Sequence, residues 1–428
     1  MTVRTMRRLD RWIGTPLCLL LTLHRRFGDA WRWLRRIGPP AFRMPGDARP
    51  GPCVLFVKLA EMGSTVLAVP AIRRLQEMAP GVRLHYLCFE ENKAVLDLLP
   101  GVRWEGVHTI RTRSIVSVVA DVLRVVLRLR RLRFDAAFDM EFFSRGSAAL
   151  VYLSGARVRV GYHRFHAEGL NCGDLFTHRL AYNHHLHTSG AFLALAEALT
   201  APAGEVPLVK KRVDRPVALP AFEPAAHEVE AVLEKLRSCG YPAAGRPPIV
   251  ILNTNASDLL PLRRWPMERF EELARRCLSA YPDCWIVLTG APAEAPAVES
   301  LARRIGNGRV ICLAGHTTLR ELVTLYGFSE VIVTNDSGPA HFAALTPIRI
   351  LVLFGPETPE LYGPLSPRGR AVSAALACSP CIHVFNSRNS PCTDNRCMKL
   401  ISVDDVFRTM RELWDGARTA TGGVTSPG

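Results

Sequence analysis

From residue 51 onward, apolar and polar positions alternate between two periods. The run 53–59 is short and almost continuously apolar, which predicts a strand buried on both faces. Met62-Gly63-Ser64-Thr65 follows it, and then an amphipathic helix over about 66–78 that is stopped by Pro80-Gly81. Further strands are expected at 84–89 and 136–140. A Pro- and Ala-rich segment at 201–247 carries an acidic helical stretch near 228–236 and ends in Gly245-Arg246-Pro247-Pro248. The alternation then restarts, with strands at 249–254, 285–290, 331–335 and 350–354 and helices at 267–278, 298–305 and 338–345. A last helix is expected at 402–414 and a frayed tail at 416–428. Such β–α repetition predicts an α/β chain of two Rossmann-like, doubly wound parallel-sheet domains at 51–215 and 248–415, with a linker at 216–247. Ligands of such sheets bind beyond the carboxyl ends of the strands, and a facing pair of domains would place the site in the cleft.

Composition narrows the class of protein. Hydrophobic residues are 48% and charged residues 22% of the 428, an ordinary globular balance that excludes extended disorder. No apolar run reaches the ~18 residues that a spanning helix needs. Twelve cysteines are too sparse here for a disulfide scaffold and favour a reducing compartment. Lys and Arg number 54 against 39 Asp and Glu, and the net +15 calls for an anionic partner.

More than half of that excess lies in 1–50, where eleven arginines face Asp10, Asp29 and Asp47. Between them stand Trp12, Ile13, Leu17, Leu19, Leu20, Leu21, Leu23, Trp31, Trp33 and Leu34. This basic amphipathic arm suits a membrane interface, where anionic headgroups add ~1 kcal/mol per basic residue. A solvated arm packed on the domain by its tryptophans fits the same pattern. A signal peptide fits less well, because the apolar stretch is short and no A-x-A-like site follows. Gly38-Pro39-Pro40 and Pro45-Gly46 then mark a linker. A second basic block at 111–133 has helical apolar spacing and places Arg124, Arg128 and Arg131 on one face, either solvated or turned to phosphate or membrane. No aromatic platform, zinc finger or RNP-like motif accompanies these arginines, so nucleic acid is not the expected partner.

Two stretches carry candidate chemistry. At Asn335-Asp336-Ser337-Gly338-Pro339-Ala340-His341 a buried strand ends, Asp336 and Ser337 can cap, and Pro339 suits a first helical turn. A helix N-terminus there would favour a phosphate, with His341 as a donor, although plain capping explains the same residues. Phe354-Gly355-Pro356-Glu357-Thr358 repeats the strand-to-turn arrangement. At Asn253-Thr254-Asn255-Ala256-Ser257 polar residues close a strand, and Arg263 and Arg264 precede a helix and can neutralise a diphosphate; a surface loop anchored by Trp265 is the alternative.

Together the motifs Arg264-Trp-Pro-x-Glu-Arg-Phe270, Leu288-Thr-Gly-x-Pro-x-Glu294, Asn335-Asp-Ser-Gly-Pro-x-His341 and Leu353-Phe-Gly-Pro-Glu-Thr-Pro359 resemble glycosyltransferase family 9, the ADP-heptose:lipopolysaccharide heptosyltransferases. Met62-Gly-x-x-x-Leu-Ala-x-Pro-Ala71, Phe134-Asp-x-x-x-Asp139 and Arg157-Val-Arg-Val-Gly-Tyr162 extend the likeness over about 53–414. The resemblance implies a GT-B fold and inverting transfer that needs no metal. It also implies an ADP-heptose donor on the C-terminal domain and a phosphorylated lipid A/core oligosaccharide acceptor on the N-terminal one. The work would take place in the cytoplasm, peripherally on the inner face of the cytoplasmic membrane. By position, Thr254, Arg263, Arg264, Asp336, Ser337, Gly338 and His341 match donor-binding residues, and Glu294 stands where an acidic residue holds ribose or adenine. Gly63 and His163 are candidates on the acceptor side.

One position departs from the family pattern. The residue after the glycine of the N-terminal loop is usually Asp, the proposed base, and here it is Ser64, whose hydroxyl is no base near neutral pH without an activator. Nearby carboxylates are Glu61, the preferred base, with Asp139 and Glu141 as alternatives. A non-catalytic or differently specific nucleotide-sugar binder is therefore a second reading. A nicotinamide oxidoreductase is disfavoured, because neither half shows G-x-G-x-x-G after its first strand. Cys378, Cys381, Cys392 and Cys397, in the loop 378–397, are spaced loosely for structural zinc and otherwise read as packed or redox-reactive thiols. His166 stands beside His163, and His184, His185 and His187 form a loop cluster read as surface.

Overall fold

A computed structural model of the chain describes residues 3–38, 40–42, 51–163, 172–201, 206, 208–210, 212–213, 218–256, 260–386 and 388–421. The chain divides into two compact units, Met1–Pro216 and Val217–Gly428.

The first unit opens with α1 (Val3–Trp12) and α2 (Gly14–Leu34), then β1 (Cys53–Val57), whose five residues are all buried. Next come α3 (Met62–Leu67), α4 (Val69–Met78), β2 (Arg83–Phe89) and β3 (Trp104–Ile110). The single helix expected at 66–78 starts earlier and is interrupted at Ala68. Pro70, in the first turn of α4, has no N–H to continue the ladder. After α5 (Ile115–Leu132) follow β4 (Ala136–Asp139), α6 (Arg145–Leu153), β5 (Val158–Tyr162), β6 (His178–Leu180) and α7 (Thr188–Ala198). Ser114 accepts from Ser117 N to start α5, and Arg133 closes it in the left-handed region at φ 53°. The strands form one parallel sheet in the order β3-β2-β1-β4-β5-β6.

The second unit contains α8 (Ala226–Arg237), β7 (Ile249–Asn253), α9 (Met267–Ala280), β8 (Trp285–Thr289), α10 (Ala295–Ile305) and β9 (Val310–Cys312). It continues with α11 (Leu319–Gly327), β10 (Val331–Asn335), α12 (Gly338–Ala343), β11 (Arg349–Phe354), α13 (Pro359–Tyr362) and β12 (Gly369–Ser373). Two helices end it, α14 (Arg396–Lys399) and α15 (Val403–Thr421). Its parallel sheet runs β12-β11-β10-β7-β8-β9. Counted from each unit's own first strand, the two sheets have the same order. In both, the first and fourth strands are neighbours and the chain reverses direction between them. That reversal opens a crevice at the strands' carboxyl ends, β1/β4 in one unit and β7/β10 in the other.

Three expectations change. The acidic helix assigned to a linker is α8, which buries Val232, Leu233 and Leu236 and packs against α11 of the second unit. The expected frayed tail is helical up to Thr421, and 422–428 lie outside the described residues. The arm is part of the first unit, but its tryptophans do not hold it there. Trp12, Trp31 and Trp33 are 75%, 58% and 78% exposed. Polar residues dock it instead. Asp10 accepts from Gly146 N at the start of α6 at 2.8 Å and pairs with Arg145 at 3.5 Å. Thr22 Oγ1 accepts from Asp174 N at 2.9 Å, and Arg25 pairs with Asp174 at 2.7 Å.

Candidate functional site

At the β1/β4 crevice the strands end in charge. Lys58, just past β1 and only 2% exposed, donates to Ala60 O at 2.8 Å and to Glu141 Oε1 at 3.2 Å, and lies 3.6 Å from Glu61 Oε2. Glu141 Oε1 also accepts from Leu59 N and Ala60 N, both at 2.8 Å, which makes it the anion of a small backbone nest. Glu61 stands at the N-cap of α3 with φ 66° and ψ 79°, a left-handed conformation that non-glycine residues seldom adopt and that tends to persist at functional sites. Its carboxylate is partly exposed and accepts from Ser64 Oγ at 3.0 Å. Ser64 thus hydrogen-bonds to the carboxylate three residues before it instead of standing free in the loop.

Asp139 is a correction to the candidate catalytic set. It is 3% exposed, and its oxygens accept from Glu141 N and Ser147 Oγ, each at 3.0 Å. Burial raises its carboxyl well above the usual carboxylate range, and those hydrogen bonds oppose the shift only in part. A carboxyl so enclosed, with both oxygens taken by its own chain, is not open to an acceptor hydroxyl. Gly63 is buried within α3. His163, just past β5, is half-buried and donates its backbone N–H to Leu180 O at 2.8 Å. His166 and Ser257 lie outside the described residues.

At the β7/β10 crevice the loops are tied together by amides. Asn335 Oδ1 accepts from Trp265 N, and Asn335 Nδ2 donates to Thr254 O, both at 3.0 Å. Arg263 is thereby held against β10 and β11. Its Nη1 donates to Asp336 O at 3.2 Å, its Nε lies 3.4 Å from Asp336 Oδ2, and its Nη2 pairs with Glu357. Burial pushes the Glu357 carboxyl up to about 7, with the Arg263 guanidinium pulling the other way; Asp336 is raised by burial too, and lowered by the same guanidinium. Arg263 is thus not simply a phosphate clamp: two buried carboxylates already share it. Arg264 Nε donates to Ala256 O at 3.0 Å.

The Thr254 hydroxyl and the Asn255 amide nitrogen are buried without a hydrogen-bond partner among the described residues, which is costly unless something else satisfies them. Ser337 occupies the N-cap of the six-residue α12, yet its Oγ donates to Asn335 O at 3.2 Å and makes no cap bond. His341 is buried within α12, and Gly338 packs against the Phe342 ring, where a Cβ would approach to 3.2 Å. Glu294 Oε2 accepts from Ala291 N at 2.7 Å, so one carboxylate oxygen already caps its own turn.

Among the described residues no group of three or more His, Cys, Asp or Glu side chains is placed to hold an ion. Cys381 Sγ sits 3.3 Å from Ser390 Oγ, Cys392 Sγ donates to Asp394 O at 3.1 Å, and Cys397 is buried. Cys381 and Cys392 find separate partners, so the structure does not support the expectation of structural zinc. Sequence reasoning missed two charged residues, Lys58 and Glu357. Lys58 directly follows the wholly apolar β1, and a lone charge in that place is the signal that was available; Glu357 lies in the turn after β11.

Comparison with known proteins agrees with this geometry. Lipopolysaccharide heptosyltransferase 2 of Salmonella typhimurium is 35% identical over 115 residues, 26% of this chain and 32% of that protein. Lipooligosaccharide heptosyltransferase 2 of Haemophilus influenzae is 28% identical over 182 residues, 42% of this chain and 51% of that protein. The chain thus matches about a third to a half of the length of these relatives. In fold, the structure of E. coli ADP-heptose lps heptosyltransferase II superposes with a TM-score of 0.67 at 19% identity, over 85% of this chain and 99% of that one. The model of glycosyltransferase family 9 (heptosyltransferase) matches 122–390, from within α5 to the cysteine loop, so more than half of the sequence carries the family's pattern and the chain belongs to glycosyltransferase family 9.

Proposed function

We propose that the chain is an inverting glycosyltransferase that moves a heptose from ADP-L-glycero-β-D-manno-heptose to a hydroxyl of a lipopolysaccharide core acceptor at the inner face of the cytoplasmic membrane. The observation that carries this reading is the β7/β10 crevice. There, polar atoms of Thr254 and Asn255 that are buried without a partner among the described residues lie on the loop tied to Asn335, beside the Asp336–Arg263–Glu357 cluster. Such atoms are satisfied by a polar, anionic ligand, and a nucleoside diphosphate supplies acceptors for both. Family membership and the relatives' names support heptose as the sugar.

The chemistry follows from named groups. Glu61, oriented by Ser64 and close to Lys58, accepts the acceptor hydroxyl's proton as its oxygen bonds to the anomeric carbon. The bond from that carbon to the ADP oxygen breaks, and ADP leaves with the electron pair. Arg264, with Thr254, Ser337 and His341, stabilises the departing diphosphate beside the rim that Arg263 holds together with Asp336 and Glu357. The partial exposure of Glu61, the burial of Asp139 and the commitment of Glu141 to two backbone amides and Lys58 support Glu61 as the base. No cofactor enters this scheme.

The test incubates the protein with ADP-heptose and heptose-deficient lipopolysaccharide. ADP release with a mass gain of one heptose on the acceptor is the expected result. Thr254→Val is expected to weaken donor binding about tenfold without loss of stability, because its buried hydroxyl has no partner among the described residues to lose. Ser64, where the family usually carries Asp, favours one second reading, a binder of nucleotide sugars that does not turn over. Donor binding without ADP release, across several acceptors, would establish that reading instead.

A further inference from the structure

Helix α2 is amphipathic with its faces reversed. Cys18, Thr22, Arg25 and Asp29, at i, i+4, i+7 and i+11, form the side toward the unit. Cys18 Sγ reaches Arg145 O at 3.6 Å, and Thr22 and Arg25 hold Asp174. Its other side carries Leu20, Leu23, Phe27, Trp31 and Leu34, also at helical spacing. Helix α5 has two apolar faces. Val125 and Leu129 go into the unit beside buried Asp121, while Val116, Val119, Leu123 and Leu127 point away from it. These nine outward side chains are 53–79% exposed, far more than scattered surface apolars explain. Both helices pack against α6.

The charges that border these stripes share one sign. Arg26 and Arg35 flank the α2 stripe, and Arg124, Arg128 and Arg131 line one side of the α5 stripe, all exposed. The only carboxylate in α5 is Asp121, buried and taken by Arg111 and Arg124. On α2 the only carboxylate is Asp29, paired with Arg25 on the opposite side. At 21 residues α2 is about 31 Å long, and no described helix is long and apolar enough to cross a membrane. An apolar stripe with a basic border on a helix that cannot span is the pattern of a helix lying in a bilayer interface.

We propose that the outward faces of α2 and α5 together dock the first unit onto an anionic lipid bilayer, with their apolar side chains at the headgroup–acyl boundary and the bordering arginines on the headgroups. This deepens the proposed function, since a lipid-borne acceptor lies at such a surface. Its measurement needs neither donor nor acceptor, so either idea can fail while the other stands.

The full chain is floated with phosphatidylcholine vesicles with or without phosphatidylglycerol. It is expected to float with the anionic vesicles, and to do so less at high salt. Phe27→Glu with Trp31→Glu, or Val119→Glu with Leu123→Glu, is expected to lower the bound fraction about tenfold, with an unchanged thermal midpoint because all four positions are exposed. In the parent chain, brominated lipids are expected to quench the tryptophan emission, since Trp12, Trp31 and Trp33 are exposed. Equal flotation by the Val119/Leu123 pair removes α5 from the surface, and equal flotation by the Phe27/Trp31 pair removes α2. A parent chain that does not float, or that forms a dimer broken by the same substitutions, overturns the proposal.

Discussion

The two crevices occupy the same place in two sheets of the same order, yet they treat charge differently. In each, one cation sits between two carboxylates: Lys58 with Glu61 and Glu141, Arg263 with Asp336 and Glu357. In the second unit both carboxylates are buried, and their charge is consumed in holding the guanidinium. In the first, Glu141 is fixed by two backbone amides and neutralises Lys58, which leaves Glu61 partly exposed on a left-handed backbone. A committed ion cluster gives a rigid pocket rim, whereas a carboxylate left accessible beside a neutralised cation can take a proton. Topology sets where such groups stand; burial sets what they can do.

The largest expected effect breaks the first crevice. Glu61→Gln keeps the shape of the side chain but removes the proton acceptor, and kcat should fall about 10²- to 10⁴-fold while donor affinity and unfolding midpoint hold. Activity at the parent level in a steady-state ADP-release assay would remove Glu61 from its role.

Next come the two cations. Arg263→Met leaves Asp336 and Glu357 facing each other in a buried site, which should cost about 3–5 kcal/mol in denaturant unfolding. Lys58→Met should cost less, about 1–3 kcal/mol, because Glu141 keeps the amides of Leu59 and Ala60. Equal losses would mean that the two clusters do not differ as described.

The smallest effect concerns pH. Glu357 is raised from 4.5 to about 7 in the folded chain, so its protonation on folding stabilises fully below about 4.5, and this contribution is lost as pH rises through 7. Glu357→Gln should flatten that part of the stability curve, as read from unfolding midpoints at low and neutral pH. An unchanged slope would show that Arg263 holds Glu357 ionised throughout.

Much of the fold was legible, because strands buried on both faces are nearly pure apolar runs: β1, β7, β8, β10 and β11 all stand where continuous hydrophobicity put them. Strands β3, β5, β6, β9 and β12 escaped: β6 and β9 have too few residues for a period to show, β3 and β12 are largely half-buried or exposed, and Arg159 and Gly161 break the apolar run of β5. Family resemblance picked out Asp336, Ser337 and Arg263 but not what they touch. Glu357 is 94 residues from Arg263 in the chain, and nothing local marks it as that arginine's partner. Asp139 looked like an available carboxylate because its motif carries no record of how deeply β4 is covered.

The sequence alone determined the two α/β units, the strand ends at which polar residues gather, and the family, since these depend on local periodicity and on short motifs. Only the tertiary structure decided which carboxylate remains accessible, that Ser64 donates to Glu61, and that α2 docks by its polar side and turns its apolar side outward. Those outcomes depend on burial and on hydrogen bonds between distant segments. The same amphipathic pattern in α2 fits a helix facing inward or outward, and contacts with Arg145 and Asp174 choose between them.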